Sequence, residues 1–424
     1  MSTNYKSNKA VYLGTVAIMS AAFLWSADVI LIRPNLYELP ASIVVFIEHI
    51  VGFILLSPFL VSGWHRIKHI TTKDWISLLW ICFFGGILGT VMMTKAFFAS
   101  LNSETTFAEI IIVQKLQPFF TLLFAAVILR EKLTVKFYIG AAVAVIASYL
   151  LMFNANPFSI KYSMFANQAS WYALLAAFSF GSATVFGKRL INHLDFKSVV
   201  ALRFGITSLL AFLLLLINDE VWQLTTVTKT QWFSFLLIAL LAGSFAMFLY
   251  YFGLTKVPAS LSAMAELFWP VSAIILDYLV NDKNLTSTQF MAILVLLAAM
   301  YYTTKNAKSS ENFKFKADVI SGYGRGRILN IATIHLNKIS LDFAHGVYRV
   351  EAIINDKKYP GFLHFGYRET LKLGPTMELY LKDFVGNLYG VIIEVEIIEK
   401  IREVKRYTDT TQLREQVRQI IEEN

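Results

Sequence analysis

Long apolar runs, broken by short polar stretches, recur along the first three quarters of the chain. Runs of about 20 apolar residues are what carries an α-helix across a hydrocarbon core. Ten spans are predicted, at about 11–32, 41–62, 75–97, 106–129, 135–153, 169–190, 198–217, 231–252, 259–280 and 287–304. The first exceeds a signal-peptide core and holds Trp25 and Asp28, so it is kept as a helix. After residue 304 the pattern changes. Residues 305–316 (KNAKSSENFKFK) form a polar, basic linker, and beyond it the hydrophobic period drops to two. In MELYLKDF, Met377, Leu379 and Leu381 alternate with Glu378, Tyr380 and Lys382. In VIIEVEIIEKI, Val391, Ile393, Val395 and Ile397 alternate with Glu394 and Glu396. Asn355-Asp356 and Gly386-Asn387 punctuate these runs as turns. Helical spacing returns at Leu413, Val417, Ile420 and Ile421. The expected architecture is an all-α membrane domain (1–304) followed by a small antiparallel β-barrel domain (317–424) with a closing helix.

Composition agrees. Of 424 residues, 56% are hydrophobic and 16% charged, against about 25% charged in a soluble protein. The lone cysteine, Cys82, excludes a disulfide framework or a cysteine zinc site. The net charge of +9 belongs to residues 1–316, with 23 Lys and Arg against 14 Asp and Glu; residues 317–424 hold 15 of each. The excess sits in short loops between apolar runs, and no basic stripe points to nucleic acid. With the N-terminus inside, the inner segments carry Lys6, Lys9, Arg66, Lys68, Lys73, Arg130, Lys132, Lys136, Lys188, Arg189, Lys197 and Lys256 as well as the linker lysines. The outer loops carry only Arg33, Lys161, Lys229 and Lys283. Both termini are therefore expected in the cytoplasm, in a multi-pass protein of the inner or plasma membrane.

The spans divide into two sets of five, about 11–153 and 169–304. SIVVFIEHIVGFILLSPFL from Ser42 is similar to SVVALRFGITSLLAFLLLL from Ser198. Pro118 lies 15 residues before Leu133-Thr134, and Pro270 lies 15 before Leu285-Thr286. An odd number of spans per repeat makes the halves antiparallel, the inverted-repeat plan of many carriers. Ionisable residues inside spans are costly and usually functional. Glu48, His49, Glu109, Lys115 and Glu266 lie deep and, with Gln114 and Trp269, form the expected transport site, Gln117 adding a further amide on the fourth span; each charge could equally be a structural ion pair. Asp28, Lys95 and Asp277 lie near span ends, where snorkelling is expected. Trp25, Trp171, Tyr172, Tyr250, Tyr251, Phe268 and Trp269 offer aromatic faces, although Trp and Tyr near span ends also serve as interfacial belts.

Ten short helices in two repeats resemble the EamA type of the drug/metabolite transporter superfamily. LREKLTVKFYIGAAVAVIASYLL (129–151) is similar to that family's end-of-repeat pattern, a Glu-x-Leu-Thr turn before a glycine-bearing helix. The second copy, NDKNLTSTQFMAILVLLAAMYY (281–302), lacks both the Glu and the Gly. The tail has its own resemblance. SGYGRGRILNIATIHL (321–336), GVYRV (346–350), YPGFLHFGYRETL (359–371), MELYLKDFVGNLYG (377–390) and IREVKRYTDTTQL (401–413) resemble, in order and spacing, the riboflavin kinase domain. That resemblance implies riboflavin or FMN as ligand, with ATP and Mg²⁺ as co-substrates. It assigns Gly322, Gly324, Arg325 and Gly326 to a phosphate-approaching loop, Thr333 to metal and nucleotide, Arg402 to the flavin's surroundings, and Glu378 to catalysis. A carboxylate there would take the proton from the ribityl 5′-hydroxyl as it attacks the γ-phosphate. The sequence departs from the family at several places, among them the family's Pro-Thr-Ala-Asn, which reads Ala332-Thr333-Ile334-His335 here. His335 replaces an asparagine beside the nucleotide, and imidazole is a poorer Mg²⁺ ligand than a carbonyl oxygen. His364 also replaces asparagine, while Glu369 and Glu403 replace prolines.

The two resemblances together predict a carrier that imports riboflavin, with a cytoplasmic domain that phosphorylates or senses it. Three alternatives stay open: a carrier of another metabolite regulated by flavin, a membrane-anchored riboflavin kinase without transport, and a flavin-sensing module. The expected partners are the lipid bilayer and a small-molecule flavin, without nucleic acid. The oligomeric state is left open, a homodimer included.

Overall fold

The computed structural model describes residues 3–101, 107–152, 167–280, 284–307, 313–320, 333–337, 345–354, 357–368, 373–382, 384 and 386–402. The chain divides into two compact units, Met1–Ser309 and Ser310–Asn424. Among the described residues of the first, nine helices are long and apolar enough to cross a membrane, ten when one bent pair counts as a span. In chain order they are α1 (Lys9–Leu36), α2 (Ala41–Leu56 and Pro58–Ile67), α3 (Thr72–Ala99), α4 (Ile110–Leu129), α5 (Val135–Met152), α6 (Gln168–Ile191), α7 (Phe196–Ile217), α8 (Lys229–Leu254), α9 (Ala259–Val280) and α10 (Ser287–Asn306). The expected span 41–62 is therefore a broken one: α2 bends by 77° at Ser57, where Pro58 has no N–H to continue the first helix.

Local devices recur in the two sets of five. Capping boxes at Thr71 with Asp74 and at Thr228 with Gln231 open α3 and α8. Each of these helices then carries a π-type stretch ending in or containing glycine, Ile81–Leu88 and Ala239–Gly243. The paired helices α4 and α9 each break just before a proline, at Lys115-Leu116 before Pro118 and at Glu266-Leu267 before Pro270. Thr134 and Thr286 cap α5 and α10 by accepting from Phe137 N and Gln289 N. Small residues let the backbones close up. A Cβ on Gly181 of α6 would sit 2.8 Å from Gln117 O at the α4 break, and one on Gly140 of α5 would sit 2.7 Å from Thr303 Cγ2 of α10.

Glu131 shows what the turn after α4 does. Arg130 adopts a left-handed conformation (φ 54°), and the next residue points across to α9. There Glu131 Oε1 accepts from Ala259 N (2.7 Å), and Oε2 accepts from Ser260 N (3.2 Å) and Ser260 Oγ (2.6 Å). The carboxylate caps a helix of the other half, satisfying donors that its first turn leaves open.

The second unit is a closed antiparallel barrel of six strands: β1 (Phe313–Ile320), β2 (Thr333–Leu336), β3 (Gly346–Ile354), β4 (Lys357–Arg368), β5 (Leu373–Leu381) and β6 (Ile392–Arg402), in the order β1-β2-β5-β4-β3-β6. The period-two pattern is realised as expected. Leu363, Leu379, Ile393 and Val395 pack in an apolar interior, while their alternates face outward. The helix expected over 410–423 lies outside the described residues.

Candidate functional site

The broken helices meet in the middle of the helical unit. A break frees backbone groups, which is tolerated at membrane depth only against protein or a water-filled cavity. Here it also aims side chains at each other. Gln114 Nε2 donates to Gln117 Oε1 (2.7 Å), and Gln117 Nε2 donates to Glu266 Oε2 (2.6 Å). Tyr250 Oη of α8 donates to Glu266 Oε1 (2.8 Å) and lies 2.7 Å from Thr184 Oγ1 of α6. Lys115 Nζ sits 4.9 Å above the Trp269 ring, a cation–π contact joining the two breaks.

A second cluster forms where α1 approaches α2. Residues Asp28–Ile32 make a π-type turn, in which Arg33 N bonds to Asp28 O. Residues five apart do not share a face of a regular α-helix; the wider turn places them together. Arg33 donates to Asp28 Oδ2 through Nη2 (2.6 Å) and Nε (3.0 Å), and Nη2 lies 3.0 Å from Glu48 Oε1. Asp28 is 4% exposed, so it is a buried ion-pair member and does not snorkel. On the neighbouring residue, His49 Nδ1 is 2.8 Å from Val45 O. Arg203 of α7 donates to Gly85 O (2.9 Å), a carbonyl in the π-type stretch of α3, and to Tyr251 Oη (3.2 Å).

Both clusters border one cavity of about 240 Å³, just under the ~300 Å³ at which small-molecule sites begin. Its walls come from eight helices; α5 and α10 contribute none of the lining residues. Of the expected transport residues, Glu48, His49, Gln114, Lys115, Glu266 and Trp269 line it. Glu109 lies on the helix Phe107–Gln114, but its side chain is outside the described residues. Gln117 also lines the cavity, as do the aromatic candidates Trp25, Tyr250 and Tyr251; Trp171 is exposed. Asp28, Arg33 and Arg203 join them. Arg33 escaped sequence reasoning because it falls in a predicted loop, and the signal that could have found it is the Asp28-x4-Arg33 spacing at a helix end.

On the barrel, strand register gathers a polar face. Glu378 of β5 pairs with His335 of β2 on one side and His364 of β4 on the other. Two residues along, Tyr380 pairs with Thr333 and Phe362. By the period of two, all six project from the same outward face. His335 Nε2 is 4.0 Å from Glu378 Oε1, and Thr376 Oγ1 donates to that oxygen (3.3 Å). Thr333, His335 and Glu378, far apart in sequence, thus come together. Arg402, at the end of β6, stands opposite Val347 of β3, which is in turn opposite His364 of β4, so it shares their row but lies two strands from His364. Gly322, Gly324, Arg325 and Gly326 lie outside the described residues. Thr333 and Glu378 offer hard oxygen donors suited to Mg²⁺, whereas His335 does not. No cluster of three His, Cys, Asp or Glu fit to hold a metal occurs among the described residues.

Apolar spans around a polar cavity define a multi-pass membrane transporter with an appended barrel. Residues 12–153 and 167–305 match the model of the EamA-like transporter family, and the chain belongs to that family. Residues 309–424 match the model of riboflavin kinase. The riboflavin transporter ImpX of Fusobacterium nucleatum is 34% identical over 295 residues, covering 69% of this chain and 97% of that protein. In Bacillus subtilis, the RNA-binding riboflavin kinase RibR is 32% identical over 105 residues, covering 24% of this chain and 46% of that one. The bifunctional riboflavin kinase/FMN adenylyltransferase of the same organism is 30% identical over 118 residues, 26% of this chain and 37% of that one. The chain thus spans less than half of either kinase relative. A solved crystal structure with TM-score 0.53 and 17% identity, covering 69% of this chain and 97% of its own, shares the fold of the helical part.

Proposed function

We propose that the chain imports riboflavin through the cavity between its helices, and that the barrel acts on the imported flavin. The observation that carries this reading is the union in one polypeptide of two parts whose relatives handle the same vitamin, one named a riboflavin transporter and the others riboflavin kinases. The cavity chemistry supports it. A flat heteroaromatic ring needs aromatic faces and a few hydrogen bonds, which Trp25, Tyr250, Trp269, Gln114 and Glu266 supply.

Residues 1–304 act as the carrier, 305–316 as linker and 317–424 as the flavin domain. The recurring caps, π-type stretches and proline breaks support an inverted repeat, and the positive inner loops support an inner or plasma membrane protein with both termini in the cytoplasm, where ATP is. In the barrel, Glu378 accepts the proton of the ribityl 5′-hydroxyl as that oxygen attacks the γ-phosphate. Thr333 and the glycines of 322–326 hold the nucleotide phosphates, and Mg²⁺ when bound neutralises their charge. Phosphorylation charges the flavin and traps it inside, sustaining the inward gradient of the neutral form. A second reading, flavin sensing without turnover, draws on His335, an imidazole 4.0 Å from Glu378 Oε1 where the kinase pattern has an asparagine. The decisive measurement is uptake of labelled riboflavin by a strain lacking its own uptake system. Accumulation dependent on this chain supports import, and background uptake overturns it.

A further inference from the structure

Three buried charged atoms on the cavity wall lack an aligned hydrogen bond among the described residues: Asp28 Oδ1, Glu48 Oε1 and Arg203 Nε. Their side chains are more than nine-tenths buried and line the cavity. Buried charge without full hydrogen bonding is strongly disfavoured, so this wall suits a polar occupant that completes the set. Acceptors and donor lie in separate clusters. Asp28 and Glu48 share one guanidinium, that of Arg33, so two carboxyl groups face a single cation. Arg203 is held by neutral groups, Gly85 O and Tyr251 Oη, so its end of the wall carries the guanidinium's positive charge. A run of rings connects the two. Trp25, one turn before Asp28, lies 5.5 Å from Tyr250; Tyr250 lies 5.8 Å from Tyr251; and the Arg203 guanidinium stands 5.9 Å from the Tyr251 ring.

We propose that this cavity binds its cargo in one orientation, with the polyol hydroxyls donating to Asp28 and Glu48 and the ring carbonyls accepting from Arg203, and that the carboxylate end excludes the phosphate ester of the same molecule. The inference rests on the riboflavin reading above. Riboflavin carries its hydroxyl donors on the flexible ribityl chain and its carbonyl acceptors on the pyrimidine ring, so donors and acceptors are separate along the molecule as they are along the wall. FMN places about −1.5 to −2 charges at the ribityl end, beside two carboxyl groups whose shared guanidinium is already engaged. Like charges in a dehydrated site repel strongly. The carrier therefore passes the vitamin and not its phosphate.

The test uses the full-length protein in proteoliposomes without ATP, taking up labelled riboflavin. The competitors are unlabelled riboflavin, FMN, and lumiflavin, which has a methyl group in place of the polyol. With the natural chain, riboflavin and lumiflavin compete, and FMN in about hundredfold excess does not. In Glu48→Gln and, separately, Asp28→Asn, competition by riboflavin weakens by roughly tenfold, lumiflavin is unchanged, and FMN begins to compete. FMN competing as well as riboflavin against the natural chain overturns the proposal. So does a parallel loss of riboflavin and lumiflavin competition in both variants, which marks a collapsed site. Failure of the natural chain to take up riboflavin at all would instead strike the transport reading itself, and this inference with it.

Discussion

Glu378 and His335 make the sharpest pair of single-residue tests. In the full-length protein given ATP, Mg²⁺ and riboflavin, Glu378→Gln is expected to lower FMN formation by roughly 10²–10⁴-fold, the usual worth of a positioned general base. Chromatographic separation of FMN from riboflavin reads the result, and unchanged turnover removes Glu378 from its role. His335→Asn restores an oxygen donor and is expected to raise FMN formation by roughly tenfold; a fall would mean the imidazole itself contributes. These two residues were legible in the sequence because strand alternation puts them on one side and the kinase motif gives them a meaning. Asp28 was misjudged for the opposite reason. Its partner Arg33 lies five residues on, and regular helix spacing pairs residues three or four apart. Only the π-type turn brings them together, and nothing in periodicity announces such a turn. Glu48, Glu266 and Lys115 were legible because a charge in the middle of an apolar run stands out, but their partners were not, since Gln117 and Glu266 are 149 positions apart.

At the level of helices, Glu131 is the residue whose removal should be felt furthest from its own helix. Three hydrogen bonds leave the first turn of α9 together in Glu131→Ala. Loss of a helix cap typically costs about 0.5–2 kcal/mol, so the unfolding midpoint of the detergent-solubilised protein should fall, while Glu131→Gln, which keeps one acceptor oxygen, should fall less. Equal midpoints for the natural chain and Glu131→Ala would show that the cap contributes nothing. The same residue explains an asymmetry visible in the sequence. The second copy of the turn has no glutamate, so the end-of-repeat pattern is more than a helix stop. The π-type stretch in α3 also serves a neighbouring helix: Gly85 O within it accepts from Arg203. Spans and their order could be read from hydrophobic runs alone. The breaks and bends inside them depend on prolines and glycines whose effect is set by the neighbour that comes to fill the gap, as at Gly181 and Gly86, where a Cβ would collide with Gln117 O and Thr207 Oγ1.

For the molecule as a whole, orientation is the quantity on which the proposed coupling of import to phosphorylation depends. Cys82 is the lone cysteine and is fully buried, so a Cys82→Ser background suits topology mapping. Lys229→Cys is expected to react with a membrane-impermeant maleimide in whole cells, and Lys68→Cys only after lysis; the reverse result would turn the protein around and separate the barrel from its ATP. The barrel closes on itself, with β1 bonded to both β2 and β6. Confinement to a bilayer concentrates such appendages in two dimensions, and an open sheet there would present bare N–H and C=O rims to every passing copy. A cylinder of strands, each with two neighbours, has far less rim to offer, so crowding of many carriers in one patch of membrane gives their tails little seam along which to fuse.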